Sequence, residues 1–196
     1  YLAMDQGRDE SPFLTDKDGV PLKVNPLKDR RVRLALSKLI NRQAIVDRVV
    51  AGAGEPAGQI VPEGMGGYDA ALKPMAFDPE GAKRLLAEAG YPNGFGVTVH
   101  GSNNRFPNDS QLTQALGQMF SRGGLKVNGV EALPYNVYAP GATARKYSLF
   151  IFSYGSIASS SLNGLTGILA TYDKDAGTGS LNRARYSNPA YDEALK

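Results

Sequence analysis

Apolar residues recur along this chain at two spacings, one helical and one extended. Val32, Ala35, Leu36 and Leu39 mark one helical face, and Ile45 and Val49 begin a second, following the i, i+3, i+4, i+7 pattern of a buried stripe. Asp29 and Asn41 stand where these two helices would be capped, and Gly52 offers a stop. A third stripe, Ala82, Leu85, Leu86 and Ala89, follows Asp78 as a cap and Pro79 at the first helical position. Gly90 can end that helix in the left-handed conformation, and Glu80 lies one turn from Arg84. Leu112, Ala115, Leu116 and Met119 predict a fourth helix over Asn108–Ser121, and a broken helix is expected over Asn136–Lys146. Between the stripes, residues 1–5, GVTVHG, GLKVNGV and the apolar run opening at Leu149 read as strands. Gly7–Lys23, punctuated by Pro12, Gly19 and Pro21, and the glycine- and proline-rich Gly52–Tyr68 read as connections. Alternating helices and strands predict the α/β class.

The run at Leu149 is LFIFSYGSIASSS. Four consecutive apolar residues bounded by turn residues read as a strand covered on both faces. Ligands of open α/β sheets sit beyond the carboxyl ends of such strands. Tyr154 there would offer an aromatic face and a hydroxyl, and Ser153, Ser156 and the Gly155 backbone would offer neutral hydrogen bonds. Arg145, Asn103, Arg105 and Asn182 are further candidates for the rim. The plainer alternative is a tyrosine at the core edge, with Ser159–Ser161 capping the next helix.

Composition narrows the chemistry. A chain of 196 residues can bury about 70% of its unfolded surface and needs no disulfide or metal to hold a core. No apolar run approaches the roughly 18 residues of a membrane span. The net charge of +3 includes a basic patch, KDRRVR, and a mostly acidic stretch from Asp5 to Asp18. The patch has no interleaved aromatics, so a solvated helix face is expected rather than nucleic acid. Zero cysteines exclude thiol catalysis. GAGEPAGQIVPEGMGGY follows a helix and misplaces its third glycine, so it is no dinucleotide loop. Asp16–Gly19 and Asp173–Gly177 begin like calcium loops, yet their twelfth positions are Leu27 and Ala184 where a glutamate is required. Ser156 lies outside any G-x-S-x-G elbow, and His100, the single histidine, has no partner visible in sequence. No catalysis, metal or cofactor is expected.

Four blocks in order carry a resemblance: NPLKDRRVRLALSKLINRQAIVDRVVAGAGEPAGQIVPEG, DPEGAKRLLAEAGYPNG, QALGQMFSRGGLKVNGVE and NRARYSNPAYDEALK. With them the chain resembles the extracytoplasmic solute-binding proteins of peptide, nickel and oligosaccharide ABC transporters, the dipeptide- and oligopeptide-binding family, family 5. The resemblance implies that residues 1–196 form a single α/β lobe of a two-lobed, class II periplasmic-binding-protein fold. This would be the later lobe, with the second lobe, the C-terminal return and the signal peptide outside the chain. It further implies a periplasmic or cell-surface location and partners that are a small-molecule solute and the permease subunits. Nucleic acid and membrane insertion of this segment are not implied. In peptide-binding relatives the stretch matching FIFSYGSIAS carries a tryptophan and an aspartate that receives the peptide's amino terminus. Tyr154 stands near the tryptophan's place, Ile157 or Ala158 near the acid's, and Ile151 where a strand arginine is expected. No Asp or Glu occurs between Glu131 and Asp173, so the stretch suits sugars or other neutral solutes at least as well as peptides, and the solute expected is a peptide, an oligosaccharide or a related small molecule. A solute-sensing or chaperone-like module on the same fold, and a small α/β enzyme, are the alternatives.

Overall fold

The computed structural model describes residues 1–155 and 161–196. Strands are β1 (Leu2–Met4), β2 (Leu14–Thr15), β3 (Gly96–Ser102), β4 (Lys126–Leu133) and β5 (Leu149–Ile151). Helices are α1 (Arg30–Lys38), α2 (Arg42–Arg48), α3 (Pro79–Glu88), α4 (Asp109–Arg122), α5 (Tyr135–Thr143), α6 (Leu162–Gly164) and α7 (Pro189–Ala194). A π turn over Leu165–Leu169 continues α6.

The expected caps are made. Asp29 accepts from the Arg31 N–H at 2.8 Å, Asn41 from Ala44 at 3.0 Å and Asp78 from Gly81 at 2.8 Å. Each satisfies an N–H that the first helical turn would leave open. Pro79 opens α3 and Gly90 ends it at φ +93°. Lys38 reaches Asp78 at 2.8 Å and joins the packed pair α1 and α3.

β3 is the axis of the sheet. β4 runs parallel along one edge for its whole length, while antiparallel β2 and parallel β5 share the other edge at different heights, and β1 adds antiparallel to β5. Every residue of β3 is therefore buried, whereas β4 alternates between exposed and half-buried positions. On one face, Leu36, Leu39, Leu86, Leu116 and Phe120 pack with Val97, Val99 and Leu149. On the other, Tyr138 and Ala142 of α5 pack with Tyr147, Phe150 and Phe152. Apolar burial of this kind contributes about 25 cal/mol per Å².

Four features differ from the expectations. β2 lies within the connection read as irregular, two residues that gain strand geometry only by pairing with the start of β3. The buried face of α4 is Thr113, Leu116, Gly117 and Phe120, with Leu112, Ala115 and Met119 only half-buried. A Cβ on Gly101 would come within 2.2 Å of Thr113 Oγ1, and one on Gly117 within 2.5 Å of Val130; small residues let α4 sit close on the sheet and rotate its face toward them. Glu80 pairs with Lys83 at 3.0 Å rather than with Arg84. The broken helix starts at Tyr135, with Pro140 inside it.

Candidate functional site

Because β3, β4 and β5 are mutually parallel, their carboxyl ends emerge at one edge of the sheet. Antiparallel β1 brings Tyr1 to the same edge, where its N–H donates to the Phe152 carbonyl at 2.7 Å. The residues beyond these ends are held by hydrogen bonds between the strands. Asn103 donates from its backbone to the Leu133 carbonyl at 3.0 Å and from its amide to Ala132 at 3.1 Å, which ties the end of β3 to that of β4. Asn104 accepts from the Tyr135 N–H at 2.8 Å. The Arg105 guanidinium lies 5.1 Å above the Tyr135 ring, Tyr135 is 6.3 Å from Phe152, and Arg183 covers Phe152 at 4.1 Å. Two cations thus rest on aromatic faces along the rim. Burial raises the Tyr1 phenol above its ordinary pKa, against the pull of Arg183.

Glu131, two residues before the end of β4, faces His100; Asp109 lies four residues past Arg105, at the start of α4. It is 3% exposed and accepts from Ser102 Oγ at 2.8 Å and from the Arg105 N–H at 2.9 Å. Burial opposes its ionisation, but those bonds, with Phe106 and Ser110, hold it below the usual carboxylate range. Its acceptor capacity is spent on the loop it shapes.

Ser153, Tyr154 and Gly155 follow β5. Ser153 and Gly155 are exposed and Tyr154 is half-buried, against a pocket of about 270 Å³ that it shares with Ile60, Val61, Pro62, Met65, Gly155, Ser161 and Gly164. Ser156, with Ile157 and Ala158, lies outside the described residues. Asn103 and Arg105 share the strand-end rim with this group. Arg145 stands at the opposite edge of the sheet, before β5, with its Nη2 3.4 Å from Asp5 and its carbonyl bound by Arg8. Asn182 is 2% exposed and spends its amide on the Ala170 and Tyr186 carbonyls and the Tyr186 N–H. Ile151 is 7% exposed and packs in the core. Tyr135, Phe152 and Arg183 were not singled out from sequence. Their pairing joins segments that no local pattern connects, although Arg183 sits in the last block of the resemblance.

Among the described residues, no group of three or more His, Asp or Glu could hold a metal ion. Asp16 turns its carboxylate inward onto the N–H groups of Asp18 and Val20, at 2.8 and 2.9 Å, and Asp173 does the same to Asp175 and Ala176, at 2.8 and 3.0 Å. Both sequences are polar turns.

His100 is fully buried in β3, stacked on Tyr147 at 4.4 Å and edge-on to Phe13 at 4.6 Å. Its Nε2 lies 3.3 Å from Glu131, yet neither ring nitrogen completes a hydrogen bond. Burial holds its pKa below the ordinary 6.5, against the raising effect of Glu131. The unfolded chain therefore takes up a proton at a higher pH than the folded one, and stability falls as pH drops below about 6.5. The carboxylates with lowered pKa, Asp9, Asp29, Asp78, Asp109 and Asp192, act in the same direction but below 3.8. Burial also lowers the Tyr1 amino group from its ordinary 8.0, so urea midpoints measured from pH 7 to 5 should decline in the parent and decline less in His100→Gln; a level parent profile would contradict this account.

Over residues 1–176 the chain matches the family described as bacterial extracellular solute-binding proteins, family 5 Middle. It is 30% identical over 176 residues to heme-binding protein A of Haemophilus influenzae, which covers 87% of this chain and 31% of that protein. It is 39% identical over 101 residues to the glutathione-binding protein GsiB of Escherichia coli strain K12, covering 52% of this chain and 19% of GsiB. The periplasmic binding protein DppA from Helicobacter pylori, in complex with peptide STSA, superposes with a TM-score of 0.80 at 20% identity, over 100% of this chain and 34% of that one. That likeness carries the fold alone: a mixed α/β arrangement shared with part of a periplasmic binding protein. The matched regions make up about a third or less of these relatives. The chain belongs to the bacterial extracellular solute-binding proteins, family 5.

Proposed function

We propose that this chain forms one wall of the solute site in the substrate-binding component of an ABC transporter. It would work outside the cytoplasm, capturing a small solute between two lobes and handing it to a membrane permease. Residues 1–196 would serve as a single lobe, and the wall would be Ser153, Tyr154 and Gly155 with Asn103 and Arg105. Arg145 and Asn182 serve the fold in this reading, since Arg145 Nη2 faces the buried Asp5 and the Asn182 amide is spent on backbone. The observation that carries the proposal is the rim itself: the carboxyl ends of three parallel strands present aromatic faces, neutral hydrogen-bonding groups and two arginines, and Asp109 is already saturated. Ligands of open sheets bind at such an edge, and lobe closure requires the solute to contact both sides.

The rim's chemistry suits a neutral or anionic solute better than the free ammonium of a simple peptide. A buried ammonium needs an acid or several acceptors. Calorimetry of the full-length protein is the test, with di- and tripeptides, their amino-blocked forms and an oligosaccharide panel. The expected result is a solute bound tightly without a free amino terminus and recovered chemically unchanged. Turnover proportional to protein concentration would overturn the binding-protein reading.

A further inference from the structure

The connection from Gly52 to Tyr68 is more than a surface loop. It folds back on itself, with the Gln59 amide donating to the Asp69 carbonyl at 2.6 Å and accepting from the Asp69 N–H at 3.1 Å. At Gly58 the chain passes so close to Leu72 that a Cβ would lie 2.3 Å from the Leu72 carbonyl. At Gly67 the backbone takes φ +92° beside Ser161, where a Cβ would meet Oγ at 2.5 Å. The loop is thereby closed at its base and seated, close to that base, against Ser161 in the segment that follows the rim. Within the closed loop, Ile60, Val61, Pro62 and Met65 line a pocket with Tyr154. Val61 is only 5% exposed, although it belongs to a loop made largely of exposed residues. Gly164 leaves space for the tyrosine ring, since a Cβ there would stand 3.0 Å from Cε1.

The pocket between them has a volume of about 270 Å³, and no charged residue is among its described lining. An apolar cavity of roughly 150 Å³ holds a benzene ring, while whole small-molecule sites begin at roughly 300 Å³. The space thus fits part of a solute. We infer that this pocket is an apolar subsite that takes an aromatic or branched aliphatic group of the solute held at the strand-end rim. The inference rests on the proposed function, because Tyr154 and Gly155 belong to both places. Continuity through Tyr154 sets the chemistry of the solute: a hydrogen-bonding part at the rim joined to an uncharged, water-avoiding part under the loop. The loop then acts in specificity, rejecting solutes whose corresponding group is charged, since nothing described in the pocket would pair with it.

The test uses the full-length protein labelled with ¹³C at its methionine methyls, with the Met65 signal assigned by Met65→Leu. Indole is titrated as the apolar probe and myo-inositol as the polar one. Indole should shift the Met65 methyl saturably, myo-inositol should not, and Ile60→Asp should weaken indole at least tenfold. Met65→Gln, which leaves the core untouched, should weaken indole at least threefold and serves where Ile60→Asp does not fold. A Met65 signal unmoved by indole up to its solubility would overturn the subsite, as would variants that fold and bind indole within twofold of the parent. The two readings fail separately. Solutes bound by calorimetry with Met65 unmoved by indole would remove the subsite alone; indole bound under the loop with no solute captured from any panel would remove the transport reading and leave the pocket.

Discussion

Replacing Asp5 by alanine is expected to cost about 3 to 5 kcal/mol of folding stability, the range for removing one partner of a buried charge group. Asp5 is 1% exposed. Its Oδ2 accepts from Arg8 Nε and Ser11 Oγ, each at 2.6 Å, and its Oδ1 accepts from the Gly7 N–H at 3.2 Å and faces Arg145 Nη2 at 3.4 Å. Arg8 continues the network, donating to the carbonyls of Arg145 and Tyr147. The group sits where β1 ends beside the beginning of β5, and the Asp5 N–H itself donates to Ser148 at 2.8 Å. Alanine would leave two guanidiniums facing each other without their carboxylate. Their side chains are 26% and 30% exposed, so water can reach them and the lower end of the range is expected. Urea denaturation of the parent, Asp5→Ala and Asp5→Asn is the measurement, with asparagine falling between the other two because it keeps an acceptor and loses the charge. In the Asp5→Ala background, Arg8→Ala should cost less than it does alone. A parent-like midpoint in Asp5→Ala would show that this network does not hold β1 to β5.

That network illustrates what a sequence conceals. Asp5 and Arg145 are 140 residues apart, and nothing in the spacing of either side chain points to the other. Helices were legible where their ends are local chemistry. Asp29, Asn41 and Asp78 each accept from an N–H two or three residues away, so cap and helix can be read within a few positions. β5 was legible because burial on both faces favours a continuous apolar run, and β3 because the β-branched Val97, Thr98 and Val99 follow the turn at Pro92–Gly94. β2 was not, since two residues have no pattern of their own and become a strand only against Val97 and Gly96. The buried face of α4 was misplaced by the same logic: choosing the larger apolar side chains selects Leu112 and Met119, whereas contact with the sheet selects Thr113 and Gly117 because they are small. The candidate site divides similarly. Tyr154 followed from the rule that ligands gather at strand ends, but the stack of Arg105, Tyr135, Phe152 and Arg183 is assembled from four separate segments. The loop wall at Ile60–Met65 needed the fold-back at Gly58 and Gln59 to reach the tyrosine.

Tyr154→Ala in the full-length protein is expected to weaken its solute by about 1 to 3 kcal/mol, roughly 5- to 150-fold in Kd, the range for withdrawing an aromatic side chain from a contact that excludes water. Its ring lines the pocket under the loop, and its position two residues past Phe152 puts it at the carboxyl end of β5, so truncation removes a surface shared by the rim and the apolar pocket. Tyr154→Phe separates ring from hydroxyl. If the ring stacks on the solute and the hydroxyl only assists, phenylalanine should cost about 1 kcal/mol, the net value of a single hydrogen bond. The same titrations decide the charge preference. A peptide's ammonium entering this rim would meet Arg105 and Arg183, and the carboxylate of Asp109 is already committed to Ser102 and the Arg105 N–H. Repulsion and unmet desolvation then both disfavour it. Amino-blocked and sugar-like solutes should therefore bind at least as well as free di- and tripeptides. Tight peptide binding that disappears when the amino terminus is blocked would show that an acid from the opposing lobe receives the ammonium, and that charge recognition lies across the cleft from Tyr154.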